Sequence, residues 1–391
     1  MPYILRTYQK EAADAAVGAF QRGSSNGLLV LPTASGKSLV IADIASRLDS
    51  PLLVFQPSVE ILRQNFEKIC SYGITDVGVY SASMGDKNIR RITLATIGSV
   101  HNHMDDFRLF KYCLIDEAHG VSSRGGMYNE FILDRKDRVV IGLTASPYRL
   151  ERAFEGASIL TFLTRTHPRV FSKVLYVCQT GDLLRRGFIS PVEYTDLTSK
   201  ISFDIGRVKV NSTGADYDDE SLRQEYERSR FMYDLEMWTQ RILQEERNGI
   251  LVFTRFVKES MYLVERLKTH GISAEVVSGS TPKNDRARIV NDFKSGRLKV
   301  LSNANCMTMG FDYPALDTVI LASPTRSLAR YYQQVGRVVR VFEGKRAKVI
   351  DMCGSYKRFG AFEDLRIENP LGGNRWVVTS NGRPLTGELI K

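Results

Sequence analysis

Long apolar runs are missing from this chain of 391 residues. Runs such as Leu28–Leu31 and Leu52–Phe55 are strand-sized, far short of the roughly 20 residues that cross a bilayer, so no membrane partner is expected. The N-terminus, Met1-Pro2-Tyr3-Ile4-Leu5-Arg6, lacks a basic segment followed by an apolar core, which argues against a secretory signal and for a cytoplasmic protein. Cysteine is scarce and odd in number: Cys70, Cys113, Cys178, Cys306 and Cys353 are scattered, and no two have metal-binding spacing. Neither a zinc site nor a disulfide framework is expected, and reduced core thiols are the favoured reading. Acidic residues are in deficit, 44 against 54 Lys and Arg, and the resulting charge of +10 suits a polyanionic partner. The charge alone is a weak signal, because many basic proteins bind no nucleic acid. What remains, 43% hydrophobic and 25% charged, is ordinary globular composition in a chain long enough for two cores.

Two segments share one rhythm, short apolar strands alternating with amphipathic helices, the pattern of a parallel sheet covered on both faces. The fold class expected is α/β with two such domains in tandem. In the first half the strands read Gly27–Leu31, Leu52–Phe55, Val77–Tyr80, Ile92–Ala95, Tyr112–Ile115 and Val139–Leu143, with helices at about Tyr8–Gln21, Lys37–Leu48 and Val59–Cys70. In the second half Ile250–Thr254, Ala274–Val277, Val300–Ser302, Thr318–Leu321 and Ala347–Asp351 read as strands. Phe256–Thr269, Asn284–Lys294 and Leu328–Val339 read as helices. The domains expected are 1–165, a linker or insertion over 166–245 belonging in part to the second domain, 246–370, and a tail over 371–391. Within the insertion, Ser199–Glu220 is polar and ends in the acidic run Asp216-Tyr217-Asp218-Asp219-Glu220.

Three motifs carry chemistry. Pro32-Thr33-Ala34-Ser35-Gly36-Lys37-Ser38 follows an apolar strand and opens a helix. Backbone N–H groups there can wrap a β-phosphate, with Lys37 neutralising β/γ-phosphate charge and Ser38 giving its hydroxyl to Mg²⁺. The general pattern has glycine where Leu31 stands, and an incidental Gly-Lys-Ser helix start is the bland alternative. Asp116 and Glu117 end a buried strand, at the edge where parallel sheets bind ligands. An acidic pair there suits a cation: Asp116 would coordinate Mg²⁺ and Glu117 would polarise the attacking water. His119 reads as a coupling residue rather than a metal ligand. Far downstream, Gln333, Gly336, Arg337 and Arg340 are read along one helix, with the two arginines three apart and sharing a face. Guanidinium groups of this kind suit the charge on γ-phosphoryl oxygens and can contribute ~10³–10⁵ in rate. The alternative is a basic helix face.

With these motifs in order, the chain resembles the superfamily 2 helicases of the DEAH-containing type over most of residues 1–355. The resemblance implies two RecA-like domains with the ATP site in the interdomain cleft, ATP and Mg²⁺ as cofactors, and ATP hydrolysis coupled to movement on nucleic acid. Leu5-Arg6-Thr7-Tyr8-Gln9 resembles the adenine-recognition element, making Arg6 and Gln9 candidate base readers beside the nucleotide-binding Thr33, Ala34, Ser35, Gly36, Lys37 and Ser38. Pro57–Gln64 resembles motif Ia and Thr96–Ser99 motif Ib, which implies strand contact by Ser58, Thr96 and Ser99. Thr144-Ala145-Ser146 resembles motif III, a coupling element, and Phe253-Thr254-Arg255 stands at motif IV. Thr308–Asp312 resembles motif V, with Gly310 and Asp312 approaching nucleotide and Thr308 the strand. Gln333, Arg337 and Arg340 complete the catalytic set. The Gln-start of Gln333–Arg340 resembles DNA-acting branches, namely RadD-like, UvsW-like and restriction-enzyme motor subunits. RadD-like proteins often add a four-cysteine zinc element, whose spacing is absent here. The resemblance thus implies a DNA helicase or translocase acting as a monomer through sequence-independent backbone contacts. An RNA helicase, or a motor subunit requiring a protein partner, is the alternative. Aromatics near the presumed track, Tyr331, Tyr332 and Phe311, suit packing better than base stacking.

Overall fold

The computed structural model describes residues 4–23, 26–152, 158–304, 313–387 and 389–390. The described residues fall into two compact units. The first draws on Met1–Arg149, Leu160–Gln179 and Arg366–Val378; the second on Leu150–Ile159, Thr180–Leu365 and Thr379–Lys391.

The sheet of the first unit has eight strands. In spatial order they are Lys173–Val177, Gly27–Val30, Val139–Thr144, Tyr112–Asp116, Leu52–Phe55, Ile92–Ala95, Val77–Ser81 and Asp86–Lys87. All neighbours run parallel except the last pair. Central strands such as Gly27–Val30, Leu52–Phe55 and Ile92–Ala95 are buried at every position, as strands covered on both faces must be. One close approach depends on glycine. A Cβ at Gly142, in Val139–Thr144, would come within 2.5 Å of the Ala118 Cβ, so the turn after Asp116 packs directly on the neighbouring strand.

The second unit holds six parallel strands in the order Val192–Asp196, Ala347–Asp351, Thr318–Ala322, Ile250–Thr254, Val300–Ala304 and Ala274–Val277. Its core joins the buried strand residues Val252 and Ile320 to Leu222 and Tyr226 of helix Asp219–Arg228, Phe231 and Leu235 of helix Phe231–Leu243, and Leu263 and Leu267 of helix Val257–Thr269. The irregular region of the sequence therefore supplies core as well as connection. It also supplies an edge strand to each sheet: Lys173–Val177 lies beside Gly27–Val30, and Val192–Asp196 beside Ala347–Asp351.

The expected helix Leu328–Val339 is corrected to Leu328–Val335. Arg337 and Arg340 thus lie in the turn beyond it and do not share a helix face. Val338 and Val339 are fully buried, and Ser190 N donates to Val339 O at 2.7 Å while Ser190 Oγ donates to Arg340 O at 3.2 Å. Gly336 caps the helix, and the buried valines and the Ser190 contacts belong to the turn beyond it. Tyr331 and Tyr332 are core residues: the Tyr331 hydroxyl donates to Gly360 O at 2.7 Å, and the Tyr332 ring stacks on Phe362 with centroids 4.2 Å apart. Cys113, Cys178 and Cys353 are free and buried, and Cys70 is free and exposed. Among the described residues no cluster of three His, Cys, Asp or Glu could hold a metal ion, and no helix is long and apolar enough to cross a membrane.

Candidate functional site

At the carboxyl end of Gly27–Val30 the chain turns sharply and enters the helix Lys37–Arg47. Ala34 and Gly36 take positive φ angles of 66° and 80°, so backbone N–H groups of the turn and first helical turn can converge on one anion. Gly36 is further constrained, because a Cβ there would meet Gln9 Nε2 at 2.5 Å. Helix Thr7–Gln21 holds this turn from outside. The Tyr8 hydroxyl and Gln9 Nε2 donate to Ser35 O at 2.7 and 2.8 Å, and Gln9 Oε1 accepts from Arg6 N at 2.9 Å. Of the two candidate base readers, Arg6 is exposed and Gln9 is buried with its amide engaged in the turn.

Two strands away, Asp116 and Glu117 leave the same sheet edge. Lys37 Nζ lies 2.5 Å from Glu117 Oε1, and His119 Nδ1 lies 3.3 Å from Glu117 Oε2. Glu117 adopts φ 52°, a left-handed conformation unusual for a side-chain-bearing residue, which turns its carboxylate back over the phosphate-binding turn. Burial works against charge on Glu117, yet Lys37 and His119 together hold its carboxyl far below the usual range. Asp116 behaves oppositely. Burial is the largest influence and pushes it up to about 6, with Lys37 pulling down and Glu117 adding to the rise. The two carboxyls therefore have separated tendencies: Glu117 is held ionised, and Asp116 holds its proton more tightly than an ordinary aspartate. The buried Ser35 Oγ has no hydrogen-bond partner among the described residues. That orphaned hydroxyl, the ammonium of Lys37, the hydroxyl of Ser38 and the inward carboxylate of Asp116 form a donor set suited to a polyphosphate and a hard divalent cation.

Sequence reasoning missed Asn65. Buried in helix Val59–Ser71, it donates from Nδ2 to Gln56 Oε1 at 2.7 Å and lies 3.4 Å from Asp116 Oδ2. The signal was available: Asn65 shares the apolar face of that helix with Leu62 and Ile69, where a polar residue needs a partner.

The other sequence-derived residues of the first unit form two groups. Thr144 Oγ1 lies 3.1 Å from His119 Nδ1 and accepts from Ser146 N at 3.0 Å, so the three candidate coupling residues form one chain leading from Glu117. Ser58 and Thr96 follow neighbouring strands whose ends pair Phe55 with Ala95. Ser58 Oγ accepts from Ile61 N at 3.3 Å, Thr96 and Ser99 hydroxyls lie 2.9 Å apart, and Ser99 Oγ accepts from Ala82 N at 2.9 Å. In the second unit Gln333 is half-buried on helix Leu328–Val335, and burial pushes the Arg340 guanidinium down to about 10. Thr308, Gly310, Phe311 and Asp312 lie outside the described residues, as does Cys306.

Residues 2–149 match the family described as type III restriction enzyme, res subunit, and residues 234–342 match the helicase conserved C-terminal domain. The chain belongs to the superfamily 2 helicases. It is 25% identical to a putative mitochondrial ATP-dependent helicase, irc3, of Schizosaccharomyces pombe, over 94% of this chain and 60% of the relative. It is also 25% identical to the DNA 3′-5′ translocase XPB2 of Sulfurisphaera tokodaii, over 86% of this chain and 78% of the relative. The fold resembles a fragment of a putative HsdR subunit of a type I restriction enzyme from Vibrio vulnificus, with a TM-score of 0.69, 18% identity and coverage of 92% of this chain and 67% of that one. This superfamily 2 chain spans 66% of a Lactococcus phage relative, 60% of the S. pombe relative and 52% of the Saccharomyces cerevisiae relative.

Proposed function

We propose that this chain is an ATP-driven motor that moves on or unwinds nucleic acid, DNA in preference to RNA. The observation that carries the reading is the Lys37–Glu117–His119–Thr144–Ser146 chain, which links a phosphate-binding turn to the element following a neighbouring strand. Lys37 and the turn residues Thr33–Gly36 would hold the β- and γ-phosphates, while Ser38 and Asp116 would hold Mg²⁺. When bound, the ion supplies charge to the phosphoryl oxygens that shift during transfer. Glu117 is suited to accept a proton from the attacking water, because its carboxylate is ionised and oriented by His119. Arg337 and Arg340 are assigned to the γ-phosphoryl charge. Ser58, Thr96 and Ser99 present hydroxyls along one sheet edge, which favours contact with a strand's backbone rather than its bases. Thr308 is assigned to the same strand, with Gly310 and Asp312 assigned to nucleotide, on the motif resemblance. Loss of the γ-phosphate would be felt first by Glu117 and His119 and passed to Thr144. The preference for DNA draws on the res-subunit match and on the DNA translocase among the relatives. The protein is taken to act as a monomer in the cytoplasm.

ATP turnover should rise on addition of single-stranded or forked DNA, and a tailed duplex should be displaced. Stimulation by RNA alone would favour an RNA helicase. Stimulation by DNA without displacement would favour a motor subunit that depends on a protein partner.

A further inference from the structure

A cavity of about 450 Å³ opens on the second unit where helices Asp219–Arg228, Phe231–Leu243 and Val257–Thr269 meet. Among the described residues, none of the phosphate site or of the expected strand contacts lines it. Its aromatic surface comes from Tyr226, Tyr233, Phe256 and Tyr262. Tyr226 is the fixed floor, stacked on Phe231 with centroids 4.3 Å apart and donating its hydroxyl to Ala322 O at 3.1 Å. Tyr233 and Tyr262 are the opposite case, 63% and 40% exposed. Such rings on a soluble surface lose contact with water favourably when something flat covers them.

Cations surround the rings. Arg223, Arg230 and Lys258 line the cavity, against Glu227 and Glu259. One Glu259 oxygen is engaged in capping its own helix, accepting from Phe256 N at 2.7 Å. The Arg223 guanidinium lies over the Phe256 ring, 4.3 Å from its centroid, and extends the stacking surface with a charged plate. Arg230 begins helix Phe231–Leu243 in a left-handed conformation, φ 55°, where glycine or asparagine would be less strained. A strained arginine aimed at an aromatic cavity points to use of its side chain.

Charge and position within the fold select the ligand together: Arg223, Arg230 and Lys258 outnumber Glu227 and Glu259 in the lining. The cavity follows directly from strand Ile250–Thr254, whose last residue pairs with Ala304. That end of the strand is the carboxyl edge of the sheet, where parallel sheets bind ligands. The acidic run anchors it there. Asp216 Oδ2 lies 2.8 Å from Arg255 Nη1, and Asp219 Oδ1 lies 2.8 Å from Arg255 Nη2, which fixes the start of helix Asp219–Arg228 onto the end of that strand.

We infer that this cavity is a base-stacking site for an unpaired nucleotide of the nucleic-acid strand: Tyr233 and Tyr262 cover the base, and Arg230 and Lys258 meet the flanking phosphates. The inference rests on the nucleic-acid reading above and adds a site to it. Aromatic platforms within a basic groove bind single strands with little sequence preference, because every base has a stacking face.

The test uses the full chain and a fluorescein-labelled oligothymidylate of about 20 nucleotides, followed by anisotropy across a range of KCl concentrations. Tyr233→Ala combined with Tyr262→Ala should weaken binding by about 10-fold or more with the salt slope unchanged. The matching pair of Tyr→Phe substitutions should bind as the unaltered chain does, since stacking needs the ring and not the hydroxyl. Arg230→Asn with Lys258→Gln should reduce the salt slope by roughly 0.7 per charge removed. ATP turnover without nucleic acid should be the same in all variants, and unchanged melting should show that each is folded. Tight binding by the double alanine variant, or loss of binding in the phenylalanine variant, would overturn the stacking site alone. Failure of the unaltered chain to bind any strand would overturn the nucleic-acid reading, and this site with it.

Discussion

At the carboxyl edge of the first sheet, Lys37, Glu117 and His119 neutralise one another through contacts of 2.5 and 3.3 Å, all drawn from two short motifs. At the carboxyl edge of the second sheet, Arg255 and Arg330 meet Asp216, at 2.8 and 3.4 Å, and Arg255 also meets Asp219. Both edges concentrate charge where parallel sheets bind ligands. The first does so with the groups proposed for phosphate chemistry, held together by their mutual attraction. The second draws its acids from an irregular insertion far from the arginines in sequence. Its ion pairs hold a helix in place, so removing them should alter stability before chemistry.

The largest expected effect tests the first half of that comparison. Lys37→Ala and Glu117→Gln should each lower nucleic-acid-stimulated ATP hydrolysis by about 10²-fold or more, since a positioned general base alone contributes on that scale. Near-normal turnover in either folded variant would remove the phosphate-site assignment.

Arg340→Ala probes a charged group of the second unit outside the insertion's ion pairs. Nucleotide affinity should be retained while turnover falls, up to about 10³-fold. Equal loss of both, read by nucleotide titration beside steady-state kinetics, would make the arginine a binding residue instead.

Within the second edge, Asp216→Ala should destabilise the fold by about 3 kcal/mol, because it leaves the largely buried Arg255 without its one buried counter-charge among the described residues. Asp219→Asn should cost under about 1 kcal/mol, because Asp219 is half exposed and its pairing is screened by water. Denaturant melts of the two variants would separate a structural clamp from a decorative one; equal effects would contradict the clamp.

The smallest effect concerns pH. Asp116 has an ordinary value of 3.8 and is pushed up to about 6 by burial, so the folded chain binds its proton more tightly than the unfolded chain. Its contribution to stability is therefore complete below 3.8 and is lost as pH rises through about 6. Glu117, held low, contributes in the opposite sense and has finished doing so above its ordinary value of 4.5. From 4.5 to about 6 Asp116 shares the slope with Asp351, also buried and pushed up to about 6, so Asp116→Asn should reduce it in nucleotide-free melts. A slope that the substitution leaves undiminished would remove Asp116 from it.

Much of the architecture could be read directly. Leu52–Phe55 and Ile250–Thr254 stand out because strands buried on both faces are unbroken apolar runs. The edge strands Lys173–Val177 and Val192–Asp196 did not, because none of their residues is fully buried and their polarity is mixed. The end of helix Leu328–Val335 was hidden for another reason. Gly336 is a local stop signal, but the turn beyond it is held by Ser190, remote in sequence, which binds the carbonyls of Val339 and Arg340. Asn65 was visible only as an anomaly on an apolar face, and Tyr233 and Tyr262 looked like ordinary helix residues.

The amino-acid sequence by itself determined the local elements: strand, tight turn and helix around Lys37, strand and acidic turn at Asp116. Apolar run length and the φ freedom of Gly36 act over a few residues and need no distant partner. Only the tertiary structure decided which groups meet. It pairs Lys37 with Glu117 across 80 positions and Arg330 with Asp216 across 114. It also gathers three helices around the aromatic cavity. Electrostatic pairing and burial depend on distance through space, and chain order does not encode that distance until the core has formed.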